Sequence, residues 1–379
     1  MTAVDGGVAR PWRAAMADAL YGPAGFYSGG AAPGRHFRTS VHASPLFAGA
    51  ILELLRRVDA ALGHPDPLDL VDVGAGRAEL LLAVAAAADP ALAARLRLTA
   101  VERAPRPAGL PAAIGWTAGI PGLTGLMIAN EWLDNVPVDV VEQTAAGPRL
   151  VLVEPTGAES LGGAPAAADA EWLRTWWPLR IGERAEVGRP RDEAWAGAAG
   201  RVFRGVAVAI DYAHHRNARP PGGTLTGYRA GHQVPPVPDG SRDLTAHVAL
   251  DACARAGQRA AAGGSPGEAG HPAGEAGHPA AEAPAGEDGH PAGGDGHPPG
   301  GTLLTTQRVA LRALGVSGAR PPLAQATADP AGYLRALAAA GAAAELTDPA
   351  GLGGFGWLLH AVGMPLPLGP ESGGCPKDG

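Results

Sequence analysis

Leu-Asp-Leu-Val-Asp-Val-Gly-Ala-Gly-Arg, residues 68–77, is the stretch that decides the fold of this chain. Its apolar run predicts a buried strand that ends in an acidic residue and a Gly-x-Gly turn. The Ala- and Leu-rich residues 78–88 predict a helix that begins at this turn. Glycines let the backbone approach a ligand closely, and the free N–H groups at a helix start attract an anion. The pattern fits either a ligand-binding turn or an ordinary connection between a strand and a helix.

A second acid favours the ligand-binding interpretation. The apolar residues 96–101 predict the next strand, which is followed by Glu102. An acid at this place can hold the ribose hydroxyls of a nucleotide cofactor. The third glycine of the nicotinamide fingerprint would fall at Glu79 and is missing. The Asp-x-Gly-x-Gly spacing of residues 72–76 therefore fits S-adenosylmethionine better than NAD.

Composition and charge exclude several classes of protein. The chain has 379 residues, of which 46% are hydrophobic, enough for one large or two ordinary domains. A net charge of -7 argues against a general nucleic-acid binder, which normally presents a basic face. The isolated Cys253 and Cys375 form neither a disulfide framework nor a Cys-x-x-Cys metal pair, which predicts a reducing compartment. No secretory signal pattern opens the sequence, and the longest apolar run, residues 80–88, is too short to span a bilayer. We therefore expect a cytoplasmic protein without a metal site that binds neither membranes nor nucleic acid.

Predicted strands and helices alternate along most of the chain. Helices are predicted at 11–21 and 45–62, and strands at 68–73, 96–101, 112–116, 125–130 and 202–211. This alternation predicts a parallel sheet with helices on both faces. Residues 138–154 instead predict an antiparallel hairpin inserted after the fourth strand. Residues 302–314 and 355–364 predict a closing strand, a helix and a last antiparallel strand.

Residues 259–300 are of low complexity. The heptapeptide Gly-Glu-Ala-Gly-His-Pro-Ala occurs at 267–273 and again at 274–280, and its Gly and Pro exclude a coiled coil. With no apolar surface to bury, this segment is predicted to be a disordered insertion. Its histidines could bind a transition metal loosely, although a solvated loop without a ligand is the simpler interpretation.

Polar residues follow the fourth predicted strand, in the run Asn130-Glu131-Trp132-Leu133-Asp134. Ligands of open α/β sheets bind outside the carboxyl ends of the strands, so Asn130, Glu131 and Asp134 should stand beside the cofactor. If the run forms a helical turn, its two carboxylates lie on one face. They could then orient a cationic acceptor, or they could be a helix cap with a solvated acid pair.

A series of short segments occurs in an order that is typical of one family. The segments are Gly34 to Phe47, the Gly-x-Gly turn, Val101-Glu102, Trp116, Ala129 to Pro137, Ile210-Asp211-Tyr212, Gly223-Thr224-Leu225, Tyr228-Arg229, Asp243 to Val248, Thr305-Thr306-Gln307 and Leu314-Gly315-Val316. In this order they resemble the MidA-like (DUF185) S-adenosylmethionine-dependent methyltransferases. The resemblance covers residues 18–363 apart from the low-complexity insertion. No single motif is decisive, but the ordered set is specific.

The resemblance implies the fold and a division of the chain. The fold is the class I methyltransferase fold, an α/β fold with a mostly parallel seven-stranded sheet whose last strand is reversed. The implied parts are an N-terminal helical and loop segment at 1–62 that closes over the cofactor, a methyltransferase domain at 63–258 and 301–364 with an inserted substrate region at 138–200, the disordered insertion at 259–300, and a flexible tail at 365–379.

The resemblance also implies the cofactor, S-adenosyl-L-methionine, and the site residues. The implied cofactor-binding residues are Asp72, Gly74, Ala75, Gly76, Glu102, Thr39, Ser40 and Trp116. The implied catalytic residues, which face the methyl acceptor, are Glu131, Asp134 and Asn130, with Glu131 as the primary orienting group. Mitochondrial members methylate an arginine of a respiratory complex I subunit during assembly, so a protein arginine is one candidate acceptor. Among the histidines, His247 and then His42 are the best further candidates for the site.

Three departures from the family pattern bear on the acceptor. The N-terminal loop reads Thr39-Ser40-Val41-His42 where the family commonly has Thr-Ser-Pro-Glu, the turn reads Gly74-Ala75-Gly76-Arg77-Ala78 where the family usually has Gly-Pro-Gly-x-Gly, and Thr117 follows Trp116 where the family often has an acid. These changes are compatible with cofactor binding, whereas the acceptor, a protein or a small molecule, stays open. A catalytically weak assembly or scaffold factor that binds S-adenosylmethionine is the second hypothesis. An NAD-dependent oxidoreductase is the third.

Overall fold

The computed structural model describes residues 8–28, 40, 44–263 and 300–369. In chain order its strands are β1 (Arg10–Pro11), β2 (Leu68–Val73), β3 (Leu96–Val101), β4 (Ile114–Thr117), β5 (Leu123–Asn130), β6 (Val140–Thr144), β7 (Gly147–Val153), β8 (Glu159–Leu161), β9 (Arg184–Glu186), β10 (Val202–Asp211), β11 (Ala213–His214), β12 (Thr226–Arg229), β13 (His232–Val234), β14 (Asp243–Thr245), β15 (Val248–Ala249), β16 (Thr302–Thr306) and β17 (Gly356–Val362). Its helices are α1 (Trp12–Tyr21), α2 (Pro45–Leu62), α3 (Glu79–Ala87), α4 (Pro90–Ala93), α5 (Ala167–Trp176), α6 (Arg189–Ala199), α7 (Leu250–Gly263), α8 (Gln307–Ala313), α9 (Leu323–Ala328) and α10 (Pro330–Leu346).

A mixed sheet forms the centre of the molecule, with the strand order β16-β17-β10-β5-β2-β3-β4. The strands from β10 to β4 are parallel, whereas β17 runs antiparallel to both β10 and β16. Helices α2 and α3 pack on one face of this sheet, and α6 and α7 pack on the other. The predicted α/β class is confirmed.

Helix α2 shows how local sequence sets an element. Ser44 caps the N-terminus, where its hydroxyl accepts from the N–H of Leu46, and Gly63 ends the helix with a φ of +77°. The apolar stripe that begins at Phe47 is buried against the central sheet. This helix is therefore part of the main core, which differs from the predicted grouping of residues 1–62 in one segment over the cofactor.

Two excursions leave the central sheet after β5 and β10. The first carries the hairpin predicted at 138–154, formed by β6 and β7, in a five-stranded sheet with β1, β8 and β9. Helix α1 packs on this sheet through Trp12 and Met16. The second excursion carries the three-stranded sheet β13-β12-β14. Because both start at the carboxyl ends of parallel strands, they lie at the edge where ligands bind in open α/β sheets.

Two glycines face each other in the middle of the central sheet. Gly125 on β5 pairs with Gly205 on β10, and their φ angles are +147° and +132°. A Cβ atom on Gly205 would lie 1.9 Å from the carbonyl oxygen of Gly125. The two strands therefore approach each other at a place that only glycine can occupy.

Two predicted boundaries differ from the structure. Helix α7 extends through 259–263, so the first residues of the predicted insertion are helical, while 264–299 lie outside the described residues. The predicted flexible tail at 365–379 begins with packed residues, because Leu368 is buried in the main core, and 370–379 lie outside the described residues. Within the ranges that the structure describes, no helix is both long and apolar enough to cross a lipid bilayer.

Candidate functional site

The Gly-x-Gly turn lies between a buried strand and a helix, as predicted. Gly74 and Gly76 have φ angles of +73° and +57°, in the left-handed region that glycine adopts without strain. The N–H groups of Gly74 and Ala75 both donate to the carbonyl of Val101, at 2.9 and 3.3 Å, which ties the turn to β3. Among the described residues, a Cβ atom on Gly76 would meet one group within 4 Å, the carboxylate of Glu79 at 3.6 Å. The turn therefore has open space in front of it.

Glu102 lies beside this turn. Its Oε2 accepts from the N–H of Gly76 at 3.1 Å, and its Oε1 accepts from the N–H groups of Arg103 and Ala104 at 2.6 and 3.0 Å. The indole of Trp116 donates to the carbonyl of Ala104 at 3.0 Å. The structure thus brings Gly76 and Glu102 together beside the loop after β3, to which Trp116 binds from strand β4.

Asp72 is a buried acid one residue before the end of β2. Within the described part of the chain, its carboxyl group has no hydrogen-bond partner. Burial raises the pKa of Asp72 to about 8, and the nearby carboxylates of Glu79 and Glu102 add to the shift. Such a group is mostly protonated at neutral pH, and a cation beside it would favour the ionised form.

Ser40 connects the N-terminal loop to the site. Its side chain is fully buried, its N–H donates to Oε1 of Glu131 at 3.3 Å, and its hydroxyl donates to Oε1 of Gln307 at 3.2 Å. Thr39 and His42, the other candidates on this loop, lie outside the described residues. A residue predicted to bind cofactor therefore contacts the predicted catalytic acid directly.

Glu131 follows β5 in a strained backbone conformation. Its φ is +51°, in the left-handed region that non-glycine residues seldom adopt. The helical turn considered for residues 130–134 does not form, because Asn130 is the last residue of β5 and residues 131–134 form an irregular turn. The physical reason is that the N–H of Glu131 donates to the carbonyl of Ile210 at 2.8 Å, which extends the pairing with β10 by one residue. Strained residues of this kind cluster at functional sites.

The carboxylate of Glu131 lies in a place that disfavours its charge. Asn130 donates from Nδ2 to Oε1 of Glu131 at 3.1 Å, whereas Oδ1 of Asn130 is buried and has no partner among the residues that the structure describes. Burial raises the pKa of Glu131 to about 7, with a smaller contribution from the charge of Asp134. A carboxyl group that titrates near neutral pH can accept or release a proton under physiological conditions.

Asp134 is buried in the same turn. Its Oδ2 accepts from the hydroxyl of Thr245 at 2.7 Å, and its Oδ1 is buried without a partner in the described part of the chain. Burial raises the pKa of Asp134, although the Thr245 hydroxyl and the charge of Arg191 oppose the shift. This burial excludes the alternative of a solvated acid pair.

Two further buried acids join this group, and the sequence analysis did not assign them to the site. Oδ2 of Asp211 accepts from the backbone N–H of Leu133 at 2.9 Å, and its Oδ1 has no partner within the described ranges. Asp243 accepts from the hydroxyl of Tyr27 at 2.9 Å and from Nδ2 of Asn135 at 3.0 Å. Burial, with the charge of Asp134 next, raises the pKa of both acids well above the usual range. The position of Asp211 at the end of β10 is a signal that could have found it, because β10 is adjacent to β5.

Arg191 is a buried cation in the same group. Its guanidinium donates to the carbonyls of Asp134, Val136, Ala246 and His247, at 2.6, 3.2, 2.9 and 2.8 Å. It thereby joins the turn after β5 to the loop after β14. Four of its donors bind backbone carbonyls, while among the described residues one oxygen atom each of Asp134 and Asp211 has no hydrogen-bond partner.

A comparison with models of protein families identifies a family that matches this chain. The model of the family "Putative S-adenosyl-L-methionine-dependent methyltransferase" matches residues 47–265, more than half of the chain. The chain belongs to this methyltransferase family. The predicted enzyme class and cofactor, S-adenosylmethionine, are thereby confirmed for the methyltransferase. No curated protein matches it at a significant level.

Solved structures share the fold of this methyltransferase. A COG1565 superfamily member from Burkholderia thailandensis bound to S-adenosyl-homocysteine is 24% identical, with a TM-score of 0.71, and the match covers 95% of this chain and 89% of that chain. A second structure, of a COG1565 superfamily protein from the same species, is 23% identical, with a TM-score of 0.68, and the match covers 94% of this chain and 88% of that chain.

The residues at the glycine turn fit the family's cofactor. Gly76 faces open space, the carboxylate of Glu102 can accept from ribose hydroxyls, and the unpartnered carboxyl of Asp72 can meet an ammonium group. A nucleoside joined to an amino acid carries both of these groups.

Proposed function

We propose that this methyltransferase binds a cationic group of its acceptor and transfers a methyl group to a nitrogen of that group, which gives up a proton, and that a guanidinium is the best fit. The observation that carries the proposal is the acid group formed by Glu131, Asp134, Asp211 and Asp243. The pKa values of all four carboxyl groups are raised, because burial disfavours their ionised forms. A cation placed among them would favour ionisation and would be held by the resulting charges.

The unpartnered atoms of the site indicate which chemical groups the acceptor brings. Oδ1 of Asn130, Oδ1 of Asp134 and Oδ1 of Asp211 are all buried, and none has a partner within the described residues. Oxygen atoms of this kind accept hydrogen bonds, so a matching ligand supplies N–H donors. A guanidinium carries several N–H donors in a flat fork that suits carboxylates. Such a group can belong to a protein arginine or to a small molecule.

On the cofactor side, we assign the roles that the sequence resemblance implies. Gly74, Ala75 and Gly76 shape the turn, Glu102 holds the ribose, Asp72 meets the ammonium group, Trp116 lines the site, and Thr39 and Ser40 belong to the loop that closes over it. The contacts of Gly76 with Glu102 and of Trp116 with the loop after β3 support this assignment. The strand order, with reversed β17 between β10 and β16, supports a class I methyltransferase arrangement.

When bound, S-adenosylmethionine supplies a methyl group that its sulfonium makes electrophilic. The residues of the chain act by position and charge. Glu131 orients the acceptor nitrogen, which raises the effective concentration of the two reacting groups. The nitrogen loses a proton as its new bond forms, and Glu131, with a pKa of about 7, can hold that proton. Asp134, held by Thr245, supports Glu131 through its charge.

The test uses radiolabelled S-adenosylmethionine and the substitution Glu131→Gln. The purified enzyme is incubated with a heat-treated cell lysate, and mass spectrometry identifies the methylated atom in the protein and small-molecule fractions. We expect label on a guanidinium or amine nitrogen. Loss of a group that accepts the proton lowers the rate of such a reaction by about a hundredfold or more. We therefore expect Glu131→Gln to lower the rate of methyl transfer by about a hundredfold or more. Calorimetric titration with S-adenosylhomocysteine should show affinity within about threefold of the wild type, because Gln keeps the shape of the side chain.

The matched control is Glu193→Gln, which changes an exposed acid of α6. Label on oxygen or carbon, or full transfer by Glu131→Gln, would overturn the proposal. Cofactor binding without any labelled product would favour the scaffold hypothesis.

A further inference from the structure

Aromatic rings meet beside the acid group. The ring of Tyr212 contacts Phe355 and His247, with centroid distances of 4.1 and 5.4 Å, and is nearly parallel to the imidazole, at 16°. Tyr212 directly follows Asp211 in the chain, so this cluster of rings is next to the buried acids. Burial is the main cause that raises the pKa of Tyr212, and the charge of Glu131 is the next largest.

Tyr228 approaches the same acids from the three-stranded sheet. Tyr228 on β12 pairs with Asp243 on β14, and Asp243 lies two residues before Thr245 on the same strand. Paired residues and residues two apart project to one face of a sheet, so these three side chains share a face. That face contains the Thr245 hydroxyl that binds Asp134. Tyr228 therefore projects toward Asp134, whose charge adds to the effect of burial in raising the pKa of Tyr228.

His247 is held in a fixed orientation. Its backbone N–H donates to the hydroxyl oxygen of Thr224 at 2.9 Å, and its backbone carbonyl accepts from Arg191 at 2.8 Å. Its imidazole ring stacks on Tyr212. The residue is exposed, and within the described ranges its ring nitrogens have no hydrogen-bond partner. Loss of hydration lowers the pKa of His247, and the charge of Arg191 adds to the effect, which favours the neutral ring. Through its stacking on Tyr212, whose pKa is raised by burial and then by the charge of Glu131, this fixed ring lies at the edge of the acid group, and a guanidinium can stack on an aromatic face.

We propose that His247 and Tyr228 form an aromatic wall of the acceptor site, against which a flat guanidinium packs while its N–H groups bind the acids. This inference rests on the cationic acceptor proposed above and adds the choice between guanidinium and ammonium. A guanidinium stacks on a ring by its face and keeps its in-plane donors for carboxylates, whereas an ammonium has no flat face. Tyr212 acts as a positioning residue, because it holds the imidazole.

The test compares ethylguanidinium with ethylammonium as probes. Each is titrated into the full-length protein saturated with S-adenosylhomocysteine, and saturation-transfer NMR measures binding. The wild type should prefer ethylguanidinium. His247→Ala and Tyr228→Leu should lower the affinity for ethylguanidinium by about threefold to thirtyfold, which is the range of cation–π interactions. They should lower the affinity for ethylammonium by less. His247→Phe retains a flat ring and should keep the preference.

Matched controls are His215→Ala, which removes an exposed imidazole outside the wall, and Tyr333→Leu, which removes a half-buried phenol on α10. Neither should change the preference. Circular dichroism and calorimetry with S-adenosylhomocysteine show which variants are folded. Should His247→Ala fail to fold, Tyr228→Leu and His247→Phe decide.

The outcomes separate the two proposals. In one outcome the wild type prefers ethylguanidinium, Glu131→Gln loses this binding, and both ring variants keep the preference. That outcome would overturn the aromatic wall and leave the cationic acceptor standing. If the wild type binds neither probe, the cationic acceptor is overturned together with the wall.

Discussion

Glu131 combines two features that oppose folding. Its backbone adopts a conformation that costs about 1–3 kcal/mol for a residue with a Cβ atom, and its carboxylate is removed from water. Neither feature improves the packing of the sheet. A ligand that neutralises the carboxylate would bind the folded state preferentially and stabilise it. The strain is thus concentrated at the residue to which we assign the central role.

Asp72 leads to a prediction about pH. With a pKa of about 8, this carboxyl group is protonated below that value and charged above it. The α-amino group of S-adenosylhomocysteine stands beside its own carboxylate, so it keeps its proton to a higher pH than a peptide N-terminus, whose pKa is about 8. Paired charges require an ionised acid and a protonated amine, so S-adenosylhomocysteine should bind most tightly between the pKa of Asp72 and the pKa of this amine, and more weakly on either side. Calorimetric titration between pH 6 and 10 measures this profile.

Asp72→Asn should bind more weakly at every pH, and the fall in affinity below pH 8 should disappear. Asp348→Asn, an exposed acid near the end of α10, is the matched control and should keep the wild-type profile. A wild-type affinity that does not change between pH 6 and 8 would contradict the pairing.

At the residue scale, the sequence predicted the local motifs better than the assembled site. Gly76 and Glu102 were expected at the same edge of the sheet because each comes soon after a recognisable strand, and a hydrogen bond joins them; their role in binding the cofactor stays a prediction. Asp243 and Arg191 were missed because they come from separate excursions, and their proximity depends on how those excursions pack. The helical turn considered at Glu131 does not form because pairing with β10 prevailed over local preference.

At the scale of elements, the pair of glycines between β5 and β10 gives a prediction about stability. The Cβ atom of Gly205→Ala would overlap the carbonyl of Gly125, so the strands must separate. We expect the free energy of unfolding to fall by about 3 kcal/mol, as overpacked cores do, measured by urea denaturation.

Gly49→Ala is the control for this change. Gly49 lies exposed on α2, and a Cβ atom there would meet nothing within 4 Å. The substitution should raise stability by about 0.5–1 kcal/mol, because alanine favours a helix. Equal effects of both alanines would show that the strand contact is not tight.

Elements with a strong local pattern were predicted within a few residues. Strands β2 and β3 and helix α2 have the predicted bounds, because buried strands and amphipathic helices repeat their pattern over several residues. Helix α10 was not predicted. It is rich in alanine, and Leu334 and Leu337 are exposed, so it lacks an apolar stripe. The three-stranded sheet was missed because its strands are too short for alternation to be recognised.

At the scale of the whole molecule, residues 264–299 can be removed as a test of the division of the chain. The elements on either side, α7 and β16, pack against each other and against β17. A Gly/Ser linker of about twelve residues should leave the affinity for S-adenosylhomocysteine unchanged and raise stability by about 1 kcal/mol, because a shorter loop closes at lower entropy cost. Calorimetry and urea denaturation of the two proteins measure both effects. A tenfold loss of affinity would show that the segment contributes to the site.

The position of β17 has a consequence for the order in which the molecule can form. It follows every other strand in the chain, yet it lies between β10 and β16. During synthesis the N-terminal part of a chain emerges first, so β10 waits with an unpaired apolar edge until nearly all of the polypeptide has been made. Such an edge can pair with the edges of other nascent chains. Fragments that stop before Gly356 should therefore aggregate, and the cell's holding chaperones would matter most in the interval before this strand arrives.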